Sequence, residues 1–118
     1  MKVIAPADAA AARWATKYAV ENYGPMYLRL SREVYPDLYT EDTKFELGKG
    51  AIVRDGSDVT VIACGIMVHK ALEAAKILEE RLISVRVVDM YSIKPIDREL
   101  IVKCAKETGA IVCAEEHN

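Results

Sequence analysis

The sequence lacks the patterns that mark membrane-spanning and secreted proteins. None of its apolar runs is long enough to cross a bilayer, and its opening does not resemble a signal peptide. Its three cysteines, Cys64, Cys104 and Cys113, lack the spacing of zinc ligands, and each lies among apolar residues. We therefore expect buried, reduced thiols and a cytoplasmic location.

Basic stripes and phosphate-binding loops are also missing. The net charge is −2, and lysine and arginine do not cluster with interleaved aromatic residues. This composition argues against nucleic acid as a partner. Neither the GxGxxG nor the Walker pattern occurs, and the lone Gly65 after an apolar run is typical of a tight turn. A nucleotide-binding α/β domain would need a glycine-rich turn at that place.

The central third of the chain carries the clearest structural pattern. Val59–Cys64 is a short apolar run with β-branched residues, typical of a strand buried on both faces. Apolar residues then recur at helical spacing over Val68–Leu82, with charged residues and His69 on the other face. A second strand is predicted at Val85–Asp89. This order predicts a right-handed, parallel βαβ unit, and His69 is expected to be solvated.

The flanking segments extend this unit. Asp97 is a suitable N-cap for a helix over Arg98–Thr108, and Ala110–Ala114 predicts a third parallel strand. On the other side, Asp55–Gly56 is a hairpin signal. We therefore expect Ala51–Arg54 to pair antiparallel with the first strand of the unit.

The first thirty residues predict a second, partial α/β unit. Lys2–Ala5 and Met26–Leu30 read as strands, and Asp8 is a good N-cap for the alanine-rich helix between them. A polar, irregular stretch follows at Ser31–Lys44.

The expected fold class is α/β. It consists of a three-layer, mostly parallel sheet over residues 51–118 and the end of another domain over residues 1–40. Residues 41–50 are expected to link the two.

Doubly wound sheets bind ligands at the carboxyl ends of their strands. Arg32 presents planar donors suited to phosphate, and Ser31 adds a hydroxyl, but a surface ion pair is the alternative for Arg32. The side chains of Glu115–His117 could bind a metal or act as an acid–base pair. The alternative is that they form a solvated chain end. The candidates at the strand ends are Ser31–Arg32, Gly65–Met67, Asp89–Ser92 and Glu115–His117.

Several longer stretches resemble transketolase, and most closely the C-terminal section of the two-subunit kind. They are RLSREVYP, FELGKGAIVRDGSDVTVIACGIMVHKALEAAKILEE, ISVRVVDMYSIKPIDRELI and AIVCAEEHN. The opening MKVIAPADA is similar to the late part of that family's pyrimidine-binding domain. The Ser31–Arg32 pair and the ending Glu116–Asn118 favour transketolase over two relatives. These are deoxyxylulose-phosphate synthase and the β subunit of 2-oxoacid dehydrogenases, and both stay open as alternatives.

The resemblance implies an enzyme that moves a two-carbon ketol unit between phosphorylated sugars. It implies thiamine diphosphate and a divalent metal, Mg or Ca, in the complete enzyme. It places the glutamate that activates the cofactor, and the metal site, outside this chain, which alone is expected to be inactive. Arg32, with Ser31, is the phosphate contact that it implies.

The implied partners are sugar phosphates, a second copy in a homodimer and an N-terminal transketolase section. A non-catalytic dimerisation module is the alternative from another functional class.

Overall fold

The computed structural model describes residues 1–116 as three helices and seven strands arranged in two sheets. No described helix is long and apolar enough to cross a membrane. The elements are β1 (Lys2–Ile4), α1 (Ala9–Glu21), β2 (Met26–Leu28), β3 (Ala51–Arg54), β4 (Val59–Ala63), α2 (Met67–Glu79), β5 (Val85–Asp89), β6 (Ser92–Lys94), α3 (Arg98–Glu107) and β7 (Ile111–Ala114).

The larger sheet has the strand order β3-β5-β4-β7. Strand β4 pairs parallel with β5, where Val59 faces Val85, and parallel with β7, where Thr60 faces Ile111. Strand β3 is antiparallel at one edge. The predicted βαβ unit, the third parallel strand and the antiparallel β3 are therefore confirmed.

Helices cover both faces of this sheet because its central strands carry apolar side chains on each face. Val85 and Val87 pack with Val68, Ala71 and Ala75 of α2. Val88, which points the other way along β5, packs with Cys104 of α3 and with Met90. The expected α/β class with three layers is confirmed.

The partner of β3 is not the predicted one. Strand β3 pairs with β5, with Ala51 opposite Asp89, and not with β4 in a hairpin. The turn after β3 crosses the start of β5, where a Cβ on Gly56 would overlap the carbonyl carbon of Val85. The glycine that suggested a hairpin instead allows this close crossing, which brings the chain to β4 on the far side of β5.

The smaller sheet has the order β2-β1-β6 and joins the two halves of the sequence. Strand β1 is parallel to β2 and antiparallel to β6, the short strand that directly follows the buried end of β5. The Ala5 amide continues this pairing by donating to the Tyr91 carbonyl at 2.9 Å. Strand β6 was not predicted, because three residues before Pro95 carry no recognisable strand pattern.

The sequence predicted where the helices begin more accurately than where they end. Asp8 accepts a hydrogen bond from the Ala11 amide at 2.8 Å, and Asp97 accepts one from the Leu100 amide at 3.0 Å. Both predicted N-caps are thus confirmed. Helix α2 ends at Glu79, however, and the exposed Leu82 follows with φ of 62°. The prediction that the helical pattern continues to Leu82 is wrong.

All three cysteines are free, but they differ in exposure. Cys64 and Cys104 are buried, whereas Cys113 on the edge strand β7 is exposed. The expectation of buried thiols therefore fails for Cys113. Strand β7 is an edge of the described sheet, and its uniformly apolar sequence, Ile111–Ala114, did not show which residues are covered.

Candidate functional site

The carboxyl ends of strands from both sheets meet in one region. The Gly65 amide, after β4, donates to the Ala5 carbonyl after β1 at 3.2 Å. The Met90 amide, after β5, donates to the Ala63 carbonyl at 2.8 Å. Gly65 has φ of 55°, which supports its role in a tight turn. These bonds bring the candidates Gly65–Met67 and Asp89–Ser92 close together with the loop after β1.

Ser31 and Arg32 lie at the margin of this region, three and four residues after Leu28, where β2 ends two residues before the predicted Leu30. The Ser31 hydroxyl accepts a hydrogen bond from the Glu33 amide at 3.1 Å, which turns the chain away from the strand. The side chain of Arg32 is exposed. Within residues 1–116 it makes no hydrogen bond or ion pair. The alternative of a surface ion pair therefore finds no partner among the described acids.

A cavity of about 290 Å³ lies between the exit of β2 and the first turn of α1. Ser31 and Glu33 line one side, and the residues before and within the start of α1 line the other. Arg32 is not part of this lining. The lining residues are Pro6, Ala7, Asp8, Ala9, Ala12, Leu30, Ser31, Glu33, Val34, Tyr35 and Ile66.

Asp8 holds the polar segment that borders the cavity. We call residues 31–44 the strap. Besides capping α1, the Asp8 carboxylate accepts from the backbone amides of Leu38 and Tyr39 at 2.9 and 2.8 Å. Its oxygens are thus occupied by backbone donors. Asp8 is a structural anchor of the strap and not a free ligand for a substrate.

His69 lies on the covered side of α2, and the expectation that it is solvated is wrong. It is 8% exposed, and its Nε2 atom donates to the Ala7 carbonyl at 2.8 Å. The ring stacks on Tyr35 of the strap with centroids 4.7 Å apart. Helical periodicity placed His69 opposite the core of its own sheet. It did not show that the loop after β1 covers that face.

Asp89 is the most deeply buried acid of this region. It is 0% exposed at the end of β5, and its Oδ2 atom accepts from the Tyr39 hydroxyl at 2.7 Å. Its Oδ1 atom has no hydrogen-bond partner. Burial raises the pKa of the carboxyl to about 7, while the Tyr39 hydrogen bond lowers it. The hydrogen bond from Tyr39 to this group is a second attachment of the strap.

Arg29, Cys64 and Glu115 form a polar cluster that the sequence did not predict as a unit. A guanidinium nitrogen of Arg29 lies 2.7 Å from the Cys64 sulfur and 3.0 Å from Glu115 Oε2. The Cys64 thiol donates to Glu115 Oε1 at 3.1 Å. Burial and this hydrogen bond raise the pKa of the thiol to about 12, so it is neutral and a poor nucleophile. Arg29, a charged residue inside the predicted strand Met26–Leu30, was the signal in the sequence for this cluster.

The predicted metal or acid–base group at Glu115–His117 is not formed by the described residues. Glu115 is engaged with Arg29 and Cys64, and His117 lies outside the described residues. Over residues 1–116, no group of three metal-binding side chains occurs.

Comparison with known proteins identifies the family. Residues 48–118 match the family described as "Transketolase, C-terminal domain". The chain belongs to the transketolase family. This match begins just before β3 and includes the whole of the larger sheet. The strand ends that the larger sheet contributes to this region therefore lie within the matched domain.

Individual relatives support this assignment. One subunit of the apulose-4-phosphate transketolase of Phocaeicola vulgatus is 44% identical over 119 residues, which cover 100% of this chain and 38% of that protein. A 1-deoxy-D-xylulose-5-phosphate synthase of Heliobacterium modesticaldum is 43% identical over 98% of this chain and 18% of its own length. A split gene transketolase, solved as an inactive beta4 tetramer, is 55% identical. It has a TM-score of 0.94 over 99% of this chain and 39% of the solved one. The chain thus spans well under half the length of these relatives.

Proposed function

We propose that this chain is the C-terminal part of a transketolase that moves a two-carbon ketol unit between phosphorylated sugars. The observation that carries the proposal is the family match together with 44% identity, along the whole chain, to one subunit of an apulose-4-phosphate transketolase. The similarity to a deoxyxylulose-phosphate synthase favours that enzyme as the second candidate. Assays of the complete enzyme for ketol transfer and for deoxyxylulose phosphate synthesis separate the two.

We infer that residues 1–116 do not form a site for thiamine diphosphate and its metal. Over residues 1–116 no cluster of three metal-binding side chains occurs, and Asp8 occupies the first turn of α1 with its own carboxylate. We therefore place the cofactor and its Mg or Ca ion in other parts of the enzyme. This chain supplies assembly surface and substrate contact.

The purified chain, without an N-terminal section, is expected neither to bind thiamine diphosphate tightly nor to transfer ketol units. Titration calorimetry with added cofactor and Mg²⁺ or Ca²⁺ measures the first point, and a coupled ketol-transfer assay measures the second. Supplying the rest of the enzyme, that is the remaining part of this subunit together with the N-terminal section, is expected to restore both. Micromolar cofactor binding by this chain alone would contradict the proposal.

The proposed partners are sugar phosphates, an N-terminal transketolase section and a second copy of the chain. The split gene transketolase, which is 55% identical, is itself a tetramer of beta chains. That observation supports self-association. The relative from Phocaeicola vulgatus is named as one subunit of its enzyme, which supports a different partner chain. We also propose a cytoplasmic location and a division into residues 1–40, 41–50 and 51–118.

Arg32 is proposed to bind the substrate phosphate, and Ser31 is proposed to contribute to the same contact. Its side chain is exposed at the carboxyl end of β2 and has no partner within residues 1–116, so its donors are available to a ligand. A charge-assisted hydrogen bond contributes about 1.5–3 kcal/mol, which corresponds to about one to two decades in affinity. Arg32→Ala in the complete enzyme is therefore expected to raise KM about 10- to 100-fold for phosphorylated donors.

Two comparisons make the Arg32 experiment specific. The first is an unphosphorylated ketose donor, whose KM is expected to change little. The second is Arg81→Ala, which removes another exposed arginine, after the end of α2, and should leave both KM values unchanged. Equal increases in KM for both donor types would show that Arg32 does not contact the phosphate.

A further inference from the structure

Arg29 connects the end of β2 to the larger sheet. Its backbone amide donates to the Ile4 carbonyl at 2.9 Å, so the backbone here still follows the smaller sheet. Its side chain reaches Cys64, which follows β4, and Glu115, which follows β7. One arginine thus ties together three strand ends that belong to two different sheets.

The environments of Arg29 and Arg32 differ, although only two residues separate them. The Arg29 side chain is 21% exposed and its charge is paired with Glu115. Arg32 is exposed and has no partner within residues 1–116. The Arg29 side chain is therefore bound within the protein, whereas the Arg32 side chain is available to a ligand.

We propose that Arg29 is a positioning residue for Ser31 and Arg32. After the Arg29 amide, the chain leaves the sheet, and its next side-chain bond is local, from the Glu33 amide to the Ser31 hydroxyl. The Arg29–Cys64–Glu115 cluster is the last attachment to the larger sheet before the phosphate contact. It sets the direction in which residues 30–32 leave the strand. This inference rests on the proposed function for the role of Arg32, but the geometry of the cluster does not.

The role predicts a specific kinetic result in the complete enzyme. Arg29→Met and Glu115→Gln are each expected to raise KM for a phosphorylated donor about 3- to 10-fold, because a displaced Arg32 loses part of its contact. kcat and the KM for the unphosphorylated donor should change less than about twofold. The double variant should be no worse than either single variant, since each breaks the same contact. Arg29→Lys, which keeps the charge, should recover part of the loss.

Lys49→Met is the matched control. It removes an ion pair to Glu99 whose side chains are 45% and 90% exposed, far from the proposed contact in sequence. Its KM values are expected to stay unchanged. If Arg29→Met raises KM equally for both donors, or if its effect is simply added to that of Glu115→Gln, Arg29 has only a general structural role and the proposal falls.

Hydrogen exchange separates failure of this inference from failure of the phosphate assignment. In the complete enzyme, Arg29→Met should speed amide exchange in residues 30–34 and leave β4 unchanged. Unchanged exchange in residues 30–34 would overturn the positioning role, whatever the kinetics show. If Arg32→Ala affects both donors equally while exchange in residues 30–34 rises as expected, the phosphate assignment fails and the positioning of the strand exit stands.

Discussion

Between pH 4 and 8, Asp89→Asn is expected to gain stability relative to the wild type by up to about 4 kcal/mol. Burial raises the pKa of Asp89 to about 7 in the folded protein, against 3.8 as the ordinary value. A raised folded pKa means that the favourable contribution of this group is complete below pH 3.8. It is lost as the pH rises from 3.8 to about 7, because the unfolded carboxyl ionises over this range while the buried one stays protonated. Asparagine cannot ionise, so its stability lacks this pH dependence.

The difference between the two proteins is the quantity to measure, because other acids act in the opposite sense. The Gly56 amide and then Arg86 hold the pKa of Asp55 below its ordinary value, so Asp55 contributes stability that is lost as the pH falls. This contribution is common to the wild type and Asp89→Asn. Subtracting their unfolding free energies removes the contribution of Asp55 and leaves the pH-dependent contribution of Asp89.

Urea unfolding followed by the fluorescence of the single tryptophan provides the measurement. Trp14 contacts Phe45 and Tyr91, with ring centroids 5.3 and 5.5 Å apart, so its emission reports on the packing beside the strap. A difference in unfolding free energy that stays constant from pH 4 to 8 would contradict the prediction.

Tyr39→Phe tests the sign of the same assignment. The Tyr39 hydroxyl donates to Asp89 and lowers its pKa, because it stabilises the carboxylate. Without the hydroxyl, the titration midpoint of Asp89 should move to higher pH. A midpoint that moves to lower pH would mean that the Tyr39 hydroxyl does not stabilise the carboxylate.

Arg86→Ala is expected to destabilise the protein by about 2–4 kcal/mol. Arg86 is 7% exposed within β5, and its Nε lies 2.9 Å from Asp55 while a terminal nitrogen lies 2.6 Å from Glu107. The hydrogen bond to Glu107 is the main cause that raises the pKa of the guanidinium. Truncation removes buried volume and separates the turn after β3 from the end of α3.

Arg86→Met separates packing from charge, because methionine keeps part of the volume but makes no ion pair. It should recover part of the stability lost in Arg86→Ala. Lys49→Ala, which removes the exposed pair with Glu99, should change stability by no more than experimental error. Denaturant unfolding at pH 7 measures all three, and a loss in Arg86→Ala no greater than that in Lys49→Ala would refute this role.

The sequence alone determined the elements whose signals are local. Strands β4 and β5, helix α2 between them and helix α3 after Asp97 follow from periodicity and capping, because neighbouring residues decide both. Parallel pairing also followed, since a helical crossover returns the chain in the same direction. Resemblance in the longer stretches predicted the transketolase family, which residues 48–118 confirm.

Tertiary structure decided what depends on residues far apart in the chain. The turn at Gly56 is compatible with a hairpin or a crossing, and only the position of β5 selects the crossing. The pairing of β6 with β1 places a segment from the C-terminal half in the N-terminal sheet. Likewise, burial of His69 and Asp89 depends on segments folded over them, which periodicity along one element cannot reveal. The physical reason is that covering groups and charge partners come from the whole fold, whereas a sequence pattern reports only its own element.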